Sequence, residues 1–227
     1  MRYIFPPQPQ PALPIADTDA RFPIRRVYCV GRNYAEHTRE MGGDPDREPP
    51  FFFQKNPDNL YVGDSFPYPP QTQEVHHEVE LLVALSSGGV DIRKEDALSR
   101  VYGYAVCLDM TRRDLQSAAK QMRRPWEAAK AFERSAPSAP LQPAERIGHP
   151  AAGAIELSVG GTLRQSGDLS QMIWTVPEII VALSGLFALA AGDVILTGTP
   201  AGVGSVARGD LMAARIAGVG ALDCMVV

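Results

Sequence analysis

The stretch Val75-His76-His77-Glu78-Val79-Glu80-Leu81-Leu82-Val83-Ala84-Leu85 sets two carboxylates two residues apart and runs directly into an unbroken apolar segment. Such a run predicts a buried strand. Alternate side chains of a strand share a face, so Glu78 and Glu80 project together while Val79 turns to the opposite side. Two like charges at the edge of an apolar core are costly unless a cation lies between them. A divalent metal meets that need, and ligation by oxygen alone favours a hard ion such as Mg²⁺, Mn²⁺ or Ca²⁺. Spacing by itself equally allows a solvated strand end carrying two surface glutamates, so other parts of the chain have to decide.

The 227 residues suffice for one large domain with a sizeable core, and nothing in the sequence calls for two. Residues 1–24 hold six of the twenty prolines and read as an extended arm of the same domain, lying along the surface or crossing to a partner subunit; residues 25–227 form the domain proper. A net charge of -4 and a pI near 5.6 give no electrostatic reason to expect nucleic acid or an anionic membrane as partner. Cys29, Cys107 and Cys224 are odd in number, widely spaced and set among apolar neighbours, which suits reduced thiols in a cytoplasmic protein. The N-terminus lacks an apolar run of signal-peptide length, and no stretch approaches the length of a membrane span.

Working outward, Arg25–Gly31 has the composition of a strand, and Arg32 to Met41 suits a helical turn or two halted by Gly42-Gly43. Asp44 to Pro50 reads as a charged loop, and Phe51–Lys55 as a short strand. Tyr102–Met110 is a second buried strand with an acid, Asp109, near its end, and Thr111 is expected to open an amphipathic helix through about Met122. Residues 135–153 form a long connection. Val176–Leu186 suits a helix, and Asp193–Gly204 a strand delivering a glycine-rich loop. The balance is an α+β domain built on a mixed sheet.

Asp109 is the natural third metal ligand, because three acids at the core's rim would bind a hard ion and leave positions open for substrate and water. Its competing use is as the N-cap of the helix expected after it. A His-x-Glu-x-Glu reading, as in a cupin dioxygenase, would instead make His76 a transition-metal ligand with His149 as the second histidine. His37 and Glu40, three apart, are neighbours on a helical turn, where a carboxylate fixes the imidazole tautomer and raises its basicity; a surface ion pair is the plainer use of that spacing. Lys130 stands among apolar residues where an ammonium needs a partner. Arg113 and Gln116, also three apart, could face the same site or water. The loop Gly198-Thr199-Pro200-Ala201-Gly202-Val203-Gly204 lacks the lysine of a phosphate-binding loop, although its amides and the Thr199 hydroxyl could hold a small carboxylate.

Five stretches together resemble the fumarylacetoacetate hydrolase family: Tyr28–His37, His77–Glu80, Gly103–Thr111, Pro125-Trp126 with Lys130-Ala131-Phe132, and Leu196–Gly204. They occur in family order. The resemblance implies a mixed β-sandwich or β-roll, usually a homodimer, with Mg²⁺ or Mn²⁺ held by Glu78, Glu80 and Asp109. It implies that His37 with Glu40 activates water, and that Lys130, Gln116, Arg113 and Thr199 contact a small 2,4-dioxo acid. The proline-rich start and Arg47–Pro57 are most similar to family members that hydrolyse fumarylpyruvate to fumarate and pyruvate in gentisate degradation. Such a substrate has a second carboxylate, for which Arg32, Arg39 and Lys55 are the candidate cations, and Gly42-Gly43 would let the His37 segment close over it. Oxaloacetate decarboxylation, hydrolysis of another acylpyruvate or of fumarylacetoacetate, and a non-catalytic dicarboxylate-binding module are the alternatives on the same fold.

Overall fold

The computed structural model describes residues 3–42 and 48–227. Gly43 and most of the charged loop, Arg47 included, lie outside them. A six-stranded sheet occupies the centre, in the order Gln142–Pro143, Val101–Leu108, Val79–Leu85, Asp193–Leu196, Arg26–Gly31 and Phe51–Lys55. It is mixed, because Asp193–Leu196 runs parallel to Arg26–Gly31 and antiparallel to Val79–Leu85.

Period-two alternation decides what each face of that sheet meets. Tyr28, Val30, Leu81, Val83, Tyr104, Val106 and Ile195 face one way and pack with Ile155, Leu157, Met212, Ala214 and Cys224. Those residues belong to a second sheet of five strands, whose order is Thr162–Asp168, Ala154–Val159, Leu211–Ile216, Gly220–Val226 and Ser65–Phe66. The two sheets thus form a sandwich, with the helix Val176–Leu186 contributing Ile179, Ile180 and Leu183 to the same core. Its start is fixed by a capping box in which Thr175 and Glu178 satisfy each other's backbone, with Pro177 in the first turn.

The other face carries Val27, Cys29, Leu82, Ala84, Ala105, Cys107, Val194 and Leu196. Burial pushes the Cys29 and Cys107 thiols well above their ordinary pKa. Leu13, Ile15, Phe22 and Ile24 of the proline-rich arm cover this face, where Ala12–Pro14 and Arg21–Pro23 pair as a hairpin. That arm therefore closes the second apolar layer of its own chain. Among the described residues no helix is long and apolar enough to cross a membrane.

Three expected elements differ. Val75–Leu85 is two strands, Val75–His77 and Val79–Leu85, parted at Glu78. The helix expected from Thr111 begins at Arg113 and runs to Gln121, because Thr111 and Arg112 pair with His76 and Val75 as a short strand. Asp109 is consequently too far upstream to cap that helix, and the cap reading of Asp109 is set aside. The 135–153 connection contains Ala136–Pro137, Gln142–Pro143 and the helical turn Ala144–Ile147.

Candidate metal centre and catalytic pocket

The register of the two central strands brings the acids together. Val79 lies opposite Leu108 and Glu80 opposite Cys107, and the Asp109 amide donates to the Glu78 carbonyl at 2.8 Å. Glu78, Glu80 and Asp109 therefore share one end and one face of the sheet, all three buried, with a carboxylate oxygen of each within 4.8 Å of the others. Oxygen-only donors in this number suit a hard divalent ion. One further feature fits: Asp109 Oδ1 is buried with no hydrogen bond directed along it, although Lys55 Nζ lies 2.8 Å away, so a lone pair remains available.

Three cations offset these charges. Lys130 Nζ donates to Glu78 Oε2 and Asp109 Oδ2, each at 2.8 Å. Arg113 Nη2 donates to Glu78 Oε1, while its Nη1 donates to Gln116 Oε1 at 2.6 Å. Lys55 is buried behind Asp109 and also donates to Ser135 Oγ at 2.9 Å, to Met110 O at 3.3 Å and to Lys130 O. Burial would raise the Glu78 carboxyl, but Lys130 and Arg113 outweigh it and hold Glu78 below the usual carboxylate range. Glu80 goes the other way. Burial, then the charges of Asp109 and Glu78, push its carboxyl well above that range, opposed by Lys130 and by the Gly198 amide, which donates to Glu80 Oε2 at 2.7 Å. For Lys130, burial disfavours the charge, and Asp109 and Glu78 more than restore it, raising its pKa.

His37 and Glu40 sit on the short helix Ala35–Glu40 with His37 Nδ1 3.1 Å from Glu40 Oε2. Glu40 in turn accepts from the Gly202 amide at 3.1 and 3.2 Å, tying the helix to the glycine-rich loop. With Nδ1 assigned to Glu40, His37 presents Nε2. Burial lowers the His37 pKa, against the opposing pull of Glu78 and Glu40, which keeps the imidazole neutral and able to accept a proton. His37, Arg113, Gln116, Lys130, Gly198 and Thr199 line one pocket with Glu78 and Glu80; Arg32, Phe51, Phe53, Lys120 and Trp126 complete its wall.

Gln165, which nothing in the sequence marks, holds this arrangement. Its Oε1 accepts from the Val79 amide at 3.1 Å and pairs with His77 Nδ1 at 2.9 Å, on either side of Glu78. Its Nε2 donates to Thr199 Oγ1 at 2.8 Å and Pro200 O at 2.9 Å. The parting of the strand at Glu78 is stabilised by this one buried amide. The Thr199 hydroxyl, expected to face a ligand, donates instead to Val79 O at 2.8 Å, and the Gly198 amide is taken by Glu80, so these groups brace the acids. Gly198 takes φ 92°, and a Cβ there would come within 2.7 Å of Asn33, whose side chain bonds Thr197 O at 2.8 Å.

Other expectations are displaced. Lys55 is committed beneath Asp109 and cannot serve a substrate's second carboxylate; Arg39 pairs with Glu36 on an exposed helix face. Arg32 remains at the pocket. His76 contacts Glu74 at 2.8 Å and accepts from Arg113 Nε at 3.2 Å, and His149 pairs with the Tyr104 hydroxyl at 2.7 Å. Neither joins the acidic cluster, so the cupin-type histidine site is overturned.

Comparison with known proteins bears on the family and the fold. Residues 26–227 match the family model described as fumarylacetoacetate hydrolase C-terminal. The crystal structure of fumarylpyruvate hydrolase from Pseudomonas aeruginosa in complex with Mn²⁺ and pyruvate is 51% identical, with a TM-score of 0.98 over 100% of this chain and 99% of that one. A mitochondrial oxaloacetate tautomerase of Bos taurus is 42% identical over 86% of this chain and 88% of its own. A mitochondrial oxaloacetate decarboxylase of Dictyostelium discoideum is 38% identical over 86% and 90%.

Proposed function

Because the chain belongs to the fumarylacetoacetate hydrolase family, we propose that it hydrolyses the C3–C4 bond of a 2,4-dioxo acid, with fumarylpyruvate as the substrate and fumarate and pyruvate as products. The observation that carries this reading is that Glu78 and Glu80, which cluster with the buried Asp109, line one pocket with an imidazole oriented by its own carboxylate. Glu78, Glu80 and Asp109 would hold Mg²⁺ or Mn²⁺, which when bound supplies Lewis-acid polarisation of the 2-oxo group. The Pseudomonas relative, which binds Mn²⁺ and pyruvate, supports both the ion and one of the two products.

The chain's own groups supply the remaining steps. His37 Nε2 accepts a proton from water, and the oxygen adds to the C4 carbonyl; Glu40 holds the imidazole in the required tautomer and stabilises the imidazolium. Collapse of the adduct breaks C3–C4, leaving the bonding pair on C3 in conjugation with the C2 oxygen. A proton from the imidazolium then reaches C3 to give pyruvate, and the acyl half, formed as the carboxylic acid, gives its proton to solvent and departs as the carboxylate. Lys130 and Arg113 place positive charge beside the reacting oxygens in a site screened from water, where it acts strongly. In the same reading the protein is a homodimer serving aromatic-ring catabolism through gentisate, the assembly being checked by light scattering.

Oxaloacetate is the second reading, favoured by the tautomerase and decarboxylase relatives, because it offers the same 1-carboxylate and 2-oxo oxygens. A Mg²⁺-dependent ultraviolet assay over acylpyruvates and oxaloacetate separates them. Fumarylpyruvate is expected to lose its enol-diketone absorbance with the highest kcat/KM. Faster consumption of oxaloacetate, with fumarylpyruvate untouched, would overturn the hydrolase reading in favour of the second.

A further inference from the structure

Two of the cations lining the pocket have acid partners in the carboxylate cluster: Arg113 meets Glu78, and Lys130 meets both Glu78 and Asp109. Arg32 and Lys120 line the same pocket, yet among the described residues neither makes an ion pair or a side-chain hydrogen bond. Each lies beside an aromatic ring instead. The Arg32 guanidinium carbon is 5.9 Å from the Phe51 centroid, Lys120 Nζ is 5.2 Å from that of Trp126, and the two rings meet edge to face at 5.7 Å. A joined aromatic wall thus carries two cations with no neutralising charge.

The helix Arg113–Gln121 shows where one of them stands. Arg113, Gln116 and Lys120, at i, i+3 and i+7, form one stripe. At 1.5 Å per residue Lys120 lies about 10 Å along the axis from Arg113, comparable with the length of an extended seven-carbon diacid. Arg32 follows the Arg26–Gly31 strand with φ 56°, a left-handed conformation that costs a non-glycine residue about 1–2 kcal/mol. Conformations of that kind persist where a side chain has to be placed. Partial burial, then repulsion from Arg113 and Arg32, lowers the Lys120 pKa, a penalty that a bound anion would relieve.

We propose that Arg32 and Lys120 form a clamp for the carboxylate at the far end of the substrate, so that the pocket takes 2,4-dioxo diacids in preference to acylpyruvates ending in a methyl group. This rests on the acylpyruvate reading. Oxaloacetate held at the acidic cluster by its 1-carboxylate and 2-oxo oxygens is too short to reach Lys120, so the clamp selects against it as well, whereas fumarate, the acyl half alone, need only span from the C4 position to the clamp.

Calorimetric titration of the Mn²⁺-loaded protein with fumarate and with crotonate tests the clamp without turnover, since the two ligands differ in one carboxylate against a methyl. Fumarate is expected to bind roughly 10- to 100-fold more tightly, the worth of one or two charge-assisted hydrogen bonds. Lys120→Met and Arg32→Met should each collapse that preference, and Lys120→Arg should retain most of it; circular dichroism and Mn²⁺ content establish that the variants fold. A wild-type protein without the preference, or variants that keep it whole, would overturn the clamp. Turnover is scored separately. A protein that prefers fumarate but leaves fumarylpyruvate intact retains the clamp and loses the hydrolase reading, and hydrolysis without the preference does the reverse.

Discussion

Leu82 and Glu80 stand two residues apart on the same face of one strand, both buried, and their surroundings ask opposite things of them. Leu82 joins Cys29, Ala105 and Leu196 in the second apolar layer, where removal from water stabilises the fold by about 1.5–3 kcal/mol for such a side chain. At Glu80 the same burial works against the charged form, and the pressure is raised further by Asp109 and Glu78. Burial alone therefore says nothing of purpose. One end of the strand is kept because it stabilises the protein, while the other is kept in spite of its cost and requires a cation.

The widest separation between the two ends is expected from a residue belonging to neither strand position. His37→Ala should lower turnover by roughly 10²- to 10⁴-fold, the usual worth of a positioned general base, while Mn²⁺ content and melting temperature hold. A variant keeping most of its activity would remove His37 from the chemistry. Lys55→Met probes the charged end directly, because it strips a buried cation from Asp109. Loss of one partner of such a pair costs about 3–5 kcal/mol. Denaturant unfolding of the metal-free variant should show that loss, and Mn²⁺ should recover more of it than it adds to the wild type. Unchanged stability would mean that the acids need no buried counter-charge. At the apolar end, Leu82→Ala should cost about 2–5 kcal/mol by the same measurement and leave the Mn²⁺ stoichiometry at its wild-type value. Loss of metal binding in that variant would dissolve the distinction between the ends.

The smallest effect expected is in the pH profile. Burial disfavours the imidazolium of His37, so the proton-accepting form persists as pH falls past the ordinary value of about 6.5 and is lost only below it. The acid limb of kcat/KM should accordingly have its midpoint under 6.5. Glu40 opposes that shift, so residual activity of Glu40→Gln should show the limb displaced further to acid. A midpoint above 6.5 would contradict the buried-base assignment.

The parts of this site that can be read in advance are those encoded by local period. Alternation along Val79–Leu85 and Val101–Leu108 places Glu80 and Asp109 on one face, and three-residue spacing on a helical turn joins His37 to Glu40. What escapes such reading depends on partners far away in the chain. The strand is parted at Glu78, where Gln165, 86 residues from Val79, takes the Val79 backbone amide. Thr111 fails to start its helix because it pairs across to His76. Lys55 has the same composition signal as any solvated lysine, and only the fold turns it under Asp109. The proline-rich arm likewise reads as a surface strap until Leu13 and Phe22 are seen closing the second layer.

The most direct test is calorimetric titration of the metal-free protein with Mn²⁺, for the wild type and for Glu80→Gln. One ion per chain is expected for the wild type, and no measurable site for the variant, which should unfold at the same or a higher temperature because a buried carboxyl whose ionisation is disfavoured has gone. Undiminished Mn²⁺ affinity in Glu80→Gln would contradict a cation shared by Glu78, Glu80 and Asp109.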